Sequence, residues 1–120
     1  MRGARRIPSL RPVDGRSLTF AARGDVLCVA GSVDEDIVHV LQERLADFVA
    51  AHRGDVVWVQ VDEVDFLPSA GIGALVAAQG AALRAGGLLT LVAAPGTLAA
   101  RVFGLMGIEH DAALPSSDTG

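Results

Sequence analysis

Four consecutive residues, Pro68-Ser69-Ala70-Gly71, place a serine hydroxyl where an apolar strand exit, Val64-Asp65-Phe66-Leu67, steps into a helix that opens Gly71-Ile72-Gly73-Ala74-Leu75. At such a step the hydroxyl can accept the backbone N–H of Gly71 or Ile72, which caps the helix and by itself explains a serine. The same hydroxyl can also receive a phosphoryl group. The product would carry nearly two negative charges at the positive end of a helix dipole, where the fold tolerates them. Projecting from a contact surface, that dianion would expel an apolar or acidic partner. On the residues alone, Ser69 is either a cap or a switch.

The usual catalytic constellations are missing. His39, His52 and His110 have no ligand spacing, and the single Cys28 completes neither a zinc site nor a disulfide. Cys28 reads as a small buried hydrophobe. Neither glycine-rich segment ends in Lys, so there is no Walker phosphate loop. Gly71-Ile72-Gly73 follows a strand, but Val76 stands where a dinucleotide fingerprint needs its third glycine. Leu67, two residues before Ser69, breaks the nucleophile-elbow pattern. No catalytic residue, metal ligand set or cofactor is assigned, and the expectation is a protein without enzymatic activity of its own.

Charge and hydropathy narrow the partners. All ten basic residues are Arg, and five of them, Arg2, Arg5, Arg6, Arg11 and Arg16, fall in the first sixteen positions. From Ser17 onward five Arg face thirteen carboxylates. Such an acidic body disfavours nucleic acid and anionic lipid. The weakly polar stretch from Ala70 to Ala100 is broken by Gln79, Arg84, Gly86-Gly87 and Pro95-Gly96, so no membrane insertion is expected. With no export signal either, the expected location is cytoplasmic.

The elements that must carry Ser69 follow from periodicity. Residues 1–16 read as a flexible Arg-rich tail, 17–114 as one domain and 115–120 as a disordered tail. Ser17 to Phe20 alternates, Arg23-Gly24-Asp25 supplies turn chemistry, and Val26 to Ala30 is a buried strand, together a hairpin. Ser32 with Glu35 resembles a capping box. It precedes a helix whose apolar stripe is Val38, Leu41, Leu45, Phe48 and Val49, ending at Arg53-Gly54. The β-branched run Val56 to Val61 predicts a strand covered on both faces. After Ser69, Ile72, Leu75, Val76, Gln79 and Leu83 trace a second stripe that Gly86-Gly87 stops. Its off-core face, Ala74, Ala77, Ala78, Ala81 and Ala85, suits close approach by a partner, although alanine's helix propensity explains it equally. Leu88 to Ala93 is another strand. A third helix is capped by Thr97 and closed by Gly107, with a short strand possible at Ile108-Glu109-His110. The order β-β-α-β-α-β-α predicts an α/β fold, a small mixed, largely parallel sheet of four to five strands with helices packed against it.

Three segments in this order, Gly31-Ser32-Val33-Asp34 after a strand, Val64 to Leu75, and Ala100-Arg101-Val102-Phe103-Gly104-Leu105-Met106-Gly107-Ile108, resemble the STAS domain of anti-sigma factor antagonists. The resemblance covers about residues 17–114. It implies that Ser69 is phosphorylated by an anti-sigma factor that is itself a serine kinase. The unphosphorylated form would bind that kinase and release a sigma factor; phosphorylation would cancel binding, and a phosphatase would restore it. The implied partner-binding set is Ser32, Asp34, Pro68, Ser69, Ala70, Gly71, Gly73 and Ala74, with Gly71 and Gly73 keeping the approach to the helix uncluttered. One departure stands out. The family places Asp immediately before the acceptor serine, and here Pro68 offers neither a carboxylate nor an N–H. Two alternatives follow: a scaffold in which Ser69 is never phosphorylated, and a STAS subunit that braces the ATPase of a lipid-trafficking ABC transporter. Arg as the sole strong base, with abundant Ala, Gly and Val, also resembles proteins of GC-rich bacteria.

Overall fold

The computed structural model describes residues 18–115. The tail expected at 1–16, and all but Pro115 of the one expected at 115–120, lie outside these residues. Strands β1 (Thr19–Arg23) and β2 (Val26–Ser32) form the expected hairpin. Its two-residue turn is Gly24-Asp25, and Gly24 has a positive φ of 59°. Then follow α1 (Val38–Ala51), β3 (Val56–Phe66), α2 (Ser69–Arg84), β4 (Leu88–Val92) and α3 (Leu98–Met106). The sheet order is β1-β2-β3-β4, antiparallel between β1 and β2 and parallel thereafter. The short strand considered at 108–110 reduces to a single parallel bridge between Val92 and Asp111.

One face of the sheet supplies the core. Leu27 and Val29 of β2, Val57, Val59 and Val61 of β3, and Leu89 and Leu91 of β4 are buried with Leu41, Leu45 and Phe48 of α1. Ile72 and Leu75 of α2 and Ala99 and Phe103 of α3 complete the same cluster. Each large aliphatic or aromatic side chain removed from water there contributes about 1.5–3 kcal/mol. The β-branched run in β3 predicts burial on both faces, and the structure corrects this: Trp58 and Gln60, between the buried valines, are half-buried. Cys28 is likewise half-buried, its Sγ 3.4 Å from Gln60 Oε1, because it points away from the core face. Gln60 in turn donates to Asp62, whose other carboxylate oxygen accepts the Ala94 N–H.

The helix ends also differ from expectation in two places. Ser32 is the last residue of β2 and caps nothing; α1 starts at Val38, and Asp34 Oδ1 accepts the N–H groups of Asp36 and Ile37 in the preceding loop. Arg53 lies beyond α1, which stops at Ala51. In α3 the expected signals operate: Thr97 Oγ1 accepts from the Ala100 N–H at 3.2 Å, and Gly107 closes the helix with φ 70°.

Helix α2 is rotated relative to the stripe read from sequence. Its buried residues are Gly71, Ile72, Ala74, Leu75, Ala78 and Ala82, whereas Val76 and Leu83 are exposed. Ala74, Ala77, Ala78 and Ala81 line the seam with Leu45, Ala46 and Val49 of α1. Ala74 and Ala78 are buried against α1, whereas Ala77 on the same seam is exposed. Small side chains let two helices approach closely, and that geometry outweighed the larger residues when α2 chose its inward face.

The fully buried Leu91 and the 83% exposed Leu105 give a paired check. Leu91→Ala should destabilise by about 2–5 kcal/mol and Leu105→Ala by no more than about 0.5 kcal/mol, read as changes in urea midpoint at constant slope.

Candidate functional site

Because β2 and β3 are parallel, their carboxyl ends emerge on the same side of the sheet. The register shifts between Cys28 and Ala30 and again between Gly31 and Ser32, which brings Ser32 opposite Phe66. Irregularities of this kind bend a strand and re-aim its last side chains. The Val33 N–H then donates to the Phe66 carbonyl at 2.9 Å, and the Ser32 hydroxyl donates to Asp65 Oδ1 at 2.5 Å. Two loops, one after β2 and one after β3, are thereby fastened side by side.

The start of α2 stands on this pair of loops. Proline disfavours helical geometry in the residue before it, so the helix cannot begin ahead of Pro68. Pro68 is the N-cap, with φ −78° and ψ 173°, and its carbonyl accepts the Ile72 N–H at 3.1 Å. Ser69 is the first helical residue, exposed, and its hydroxyl caps nothing. This corrects the capping reading: a side chain caps from the position Pro68 occupies, not from the next one. The N–H groups of Ser69, Ala70 and Gly71 precede the first intrahelical bond, and no side chain among the described residues caps them.

Gly71 and Gly73 have opposite roles. A Cβ on Gly71 would lie 2.9 Å from Val33 Cγ1 and 3.0 Å from Leu67 Cδ1, both on buried residues, so Gly71 lets α2 seat directly on the two loops. A Cβ on Gly73 would meet nothing within 4 Å. Of the residues assigned to partner binding from sequence, Pro68, Ser69, Ala70, Gly73 and the half-buried Asp34 gather around the accessible end of this assembly. Ser32, Gly71 and Ala74 are withdrawn from it: Ser32 is buried with its hydroxyl on Asp65, Gly71 is packed on Val33, and Ala74 faces α1.

Three exposed apolar residues were not singled out as contacts by sequence reasoning. Phe66 precedes the turn and is 52% exposed, and along α2 Val76 and Leu83 are 45% and 62% exposed. Ser69, Gly73, Val76 and Leu83 are spaced by four, three and seven residues, which aligns them on one helical face. That spacing, counted from Ser69 and not from Ile72, was the available signal. The strand end before the turn is acidic, with Glu63 and Asp65 both exposed. Among the described residues, no group of three His, Cys, Asp or Glu side chains could hold a metal ion, and no helix is long and apolar enough to cross a membrane.

The tight seat of Gly71 makes a specific prediction. Gly71→Ala should destabilise by about 1–3 kcal/mol because the added Cβ forces the buried Val33 and Leu67 to shift, and Val33→Ala should recover part of that loss in the double variant. Gly73→Ala should be neutral or stabilising by up to about 1 kcal/mol, since alanine favours the helix and the space is open. Thermal unfolding of the four variants checks both.

The model of the family Mlab, STAS domain, matches residues 17–115. Among solved structures, the chain is similar to an anti-sigma factor antagonist from Mycobacterium paratuberculosis, with 21% identity, 92% of this chain and 94% of that chain covered, and a TM-score of 0.66. It is similar to the anti-sigma factor antagonist SpoIIAA in its unphosphorylated form, at 14% identity, 77% and 82% coverage and a TM-score of 0.61. The Bacillus cell fate determinant SpoIIAA in the phosphorylated form aligns at 14% identity, with 77% and 85% coverage and a TM-score of 0.58. No curated protein matches significantly. The four-stranded mixed sheet, its element order and the family match over all the described residues agree, and the chain belongs to the STAS domain family.

Proposed function

We propose that this protein is an anti-sigma factor antagonist that binds a kinase-type anti-sigma factor through the Ser69 end and outer face of α2, and that phosphorylation of Ser69 ends the contact. The observation that carries the reading is the position of Ser69: an exposed hydroxyl on the first residue of a helix, at the head of an apolar stripe. Such a hydroxyl is accessible to a kinase. The three N–H groups at the helix start suit the phosphate that would result, through direct donation and through the helix dipole.

The stripe explains how one phosphate would release a partner. Phe66, Val76 and Leu83 offer apolar area, and Gly73 leaves a low point between them. A partner covering that surface would bury the phosphoserine dianion close in sequence to the exposed carboxylates Glu63 and Asp65 of the strand end. Desolvating a dianion costs several kcal/mol even where helix N–H groups receive it, enough to weaken a micromolar association by orders of magnitude. The similarity to SpoIIAA, solved in both unphosphorylated and phosphorylated forms, supports the same reading.

A second reading keeps the surface and changes the partner. Pro68 withholds the carboxylate expected before the acceptor serine, and the matching family model is that of Mlab. A STAS subunit docked on a transporter ATPase would use the same stripe with no phosphoryl transfer.

Two measurements separate these readings. Incubation with kinase-type anti-sigma factors and ATP should add one phosphoryl group to the wild type, located on Ser69 by fragment mass spectrometry, and none to Ser69→Ala. Absence of transfer, combined with co-purification of a transporter ATPase, would favour the second reading. In titrations against the anti-sigma factor, Val76→Asp and Leu83→Asp should each weaken binding by about tenfold or more, with unfolding temperatures unchanged because both side chains are exposed.

A further inference from the structure

A groove of about 260 Å³ runs along the seam between α1 and α2. Its floor is Leu45 and Val49 of α1 with Ala74 and Ala78 of α2, all buried. Ala46 and Ala77 line it as well and are exposed, so the groove opens to solvent. With methyl groups for walls, the space above the floor stays unfilled. Among the described residues, Gln42 and Arg84 supply the polar side chains of the lining, and Arg84 its one charge.

Helices α1 and α2 each connect neighbouring parallel strands, so they run side by side in the same direction. Gln42 therefore stands at the Ala74 end of the groove and Arg84 at the Val49 end. A Cβ on Gly80 would lie 3.2 Å from Arg84 Nη1, so the guanidinium folds back along α2 over the bare backbone of Gly80. Among the described residues it has no ion pair. The Leu88 N–H donates to the Asp55 carbonyl, which ties the turn after α1 to the end of α2. Arg53 in that turn adds a second positive charge at this end, and Asp55 offsets one of the two.

An apolar trough with a cation at one end matches a molecule with an apolar chain and an anionic head. We propose that the groove binds a single-chain fatty acid, with its carboxylate on the Arg84 guanidinium and its alkyl chain lying over the alanines toward Gln42. Arg can pair with a carboxylate through two parallel hydrogen bonds, which fixes the head group and the direction of the chain. At about 30 Å³ per water-sized group the volume takes roughly eight such groups, so a chain of about eight carbons fills it. Ala77 and Arg84 directly follow Val76 and Leu83, so the groove borders the proposed contact stripe. Binding of the fatty acid requires neither a partner nor Ser69, and it does not depend on the proposed switch.

The test titrates the full-length chain, labelled with carbon-13 at the alanine methyl groups, with sodium octanoate below its micelle concentration. Saturable shifts should centre on the methyls of Ala46, Ala77 and Ala81. Hexanoate, two methylenes shorter, should bind about fivefold more weakly. Arg84→Gln should weaken octanoate binding by about tenfold and leave the binding of octanol, which has no charge, unchanged. Ala77→Leu should fill the groove and abolish octanoate binding, with the unfolding temperature unchanged because Ala77 is exposed. No saturable shift at about 10 mM octanoate, or equal affinity of the wild type and Arg84→Gln for it, would overturn the proposal. So would methyl shifts at Ala46 and Ala77 that follow protein concentration without octanoate, because the groove would then be filled by a second copy.

Discussion

The parallel ladder between β2 and β3 is the constraint on which the rest of this structure depends. It sends two chain exits to the same end of the sheet, and its two irregularities turn Ser32 and Asp65 toward each other across the gap. With those loops fastened by the Ser32 hydroxyl and the Val33 N–H, α2 has a fixed platform. Gly71 then lets the helix sit on it without an intervening side chain. Ligand and partner sites in α/β sheets gather at the carboxyl ends of the strands for this geometric reason, and the exposed Ser69 lies at that end.

Alanine divides the work of α2. On its inner side Ala74 and Ala78 accept α1 closely, and on its outer side Gly73, Val76 and Leu83 remain uncovered. A helix with bulky residues facing α1 would stand further from the sheet and carry Ser69 with it. The placement of the serine is therefore set by residues on the opposite face of its own helix, and the apolar residues left outside are free to meet another molecule.

Much of this was legible in the sequence, and the failures have identifiable causes. Periodicity and turn residues place the strands and helices, and Thr97 and Gly107 bound α3 where local chemistry says they should. Two errors share one origin: side-chain size was taken as the guide to burial. In α2, Val76 and Leu83 looked like core while Ala74 and Ala78 looked like surface, yet Ala74 and Ala78 are the buried residues and lie along the seam with α1. In β3, a run of β-branched residues suggested two covered faces, but only the odd-numbered valines from 57 to 61 are buried. The third error was local. Ser32 and Ser69 each carry a capping pattern, but the bulged register commits Ser32 to Asp65, and Pro68 takes the N-cap position from Ser69. Pairing across the chain, which no local pattern encodes, decided the first; proline geometry one residue away decided the second.

Hydrogen exchange on the complex with a kinase-type anti-sigma factor tests most directly whether the two fastened loops and the outer face of α2 form one contact surface. Slowed exchange should appear together at residues 33–37 and 69–84, with β1 unchanged. Protection that spares the start of α2, or that falls on β1 or the β4 edge instead, would contradict it.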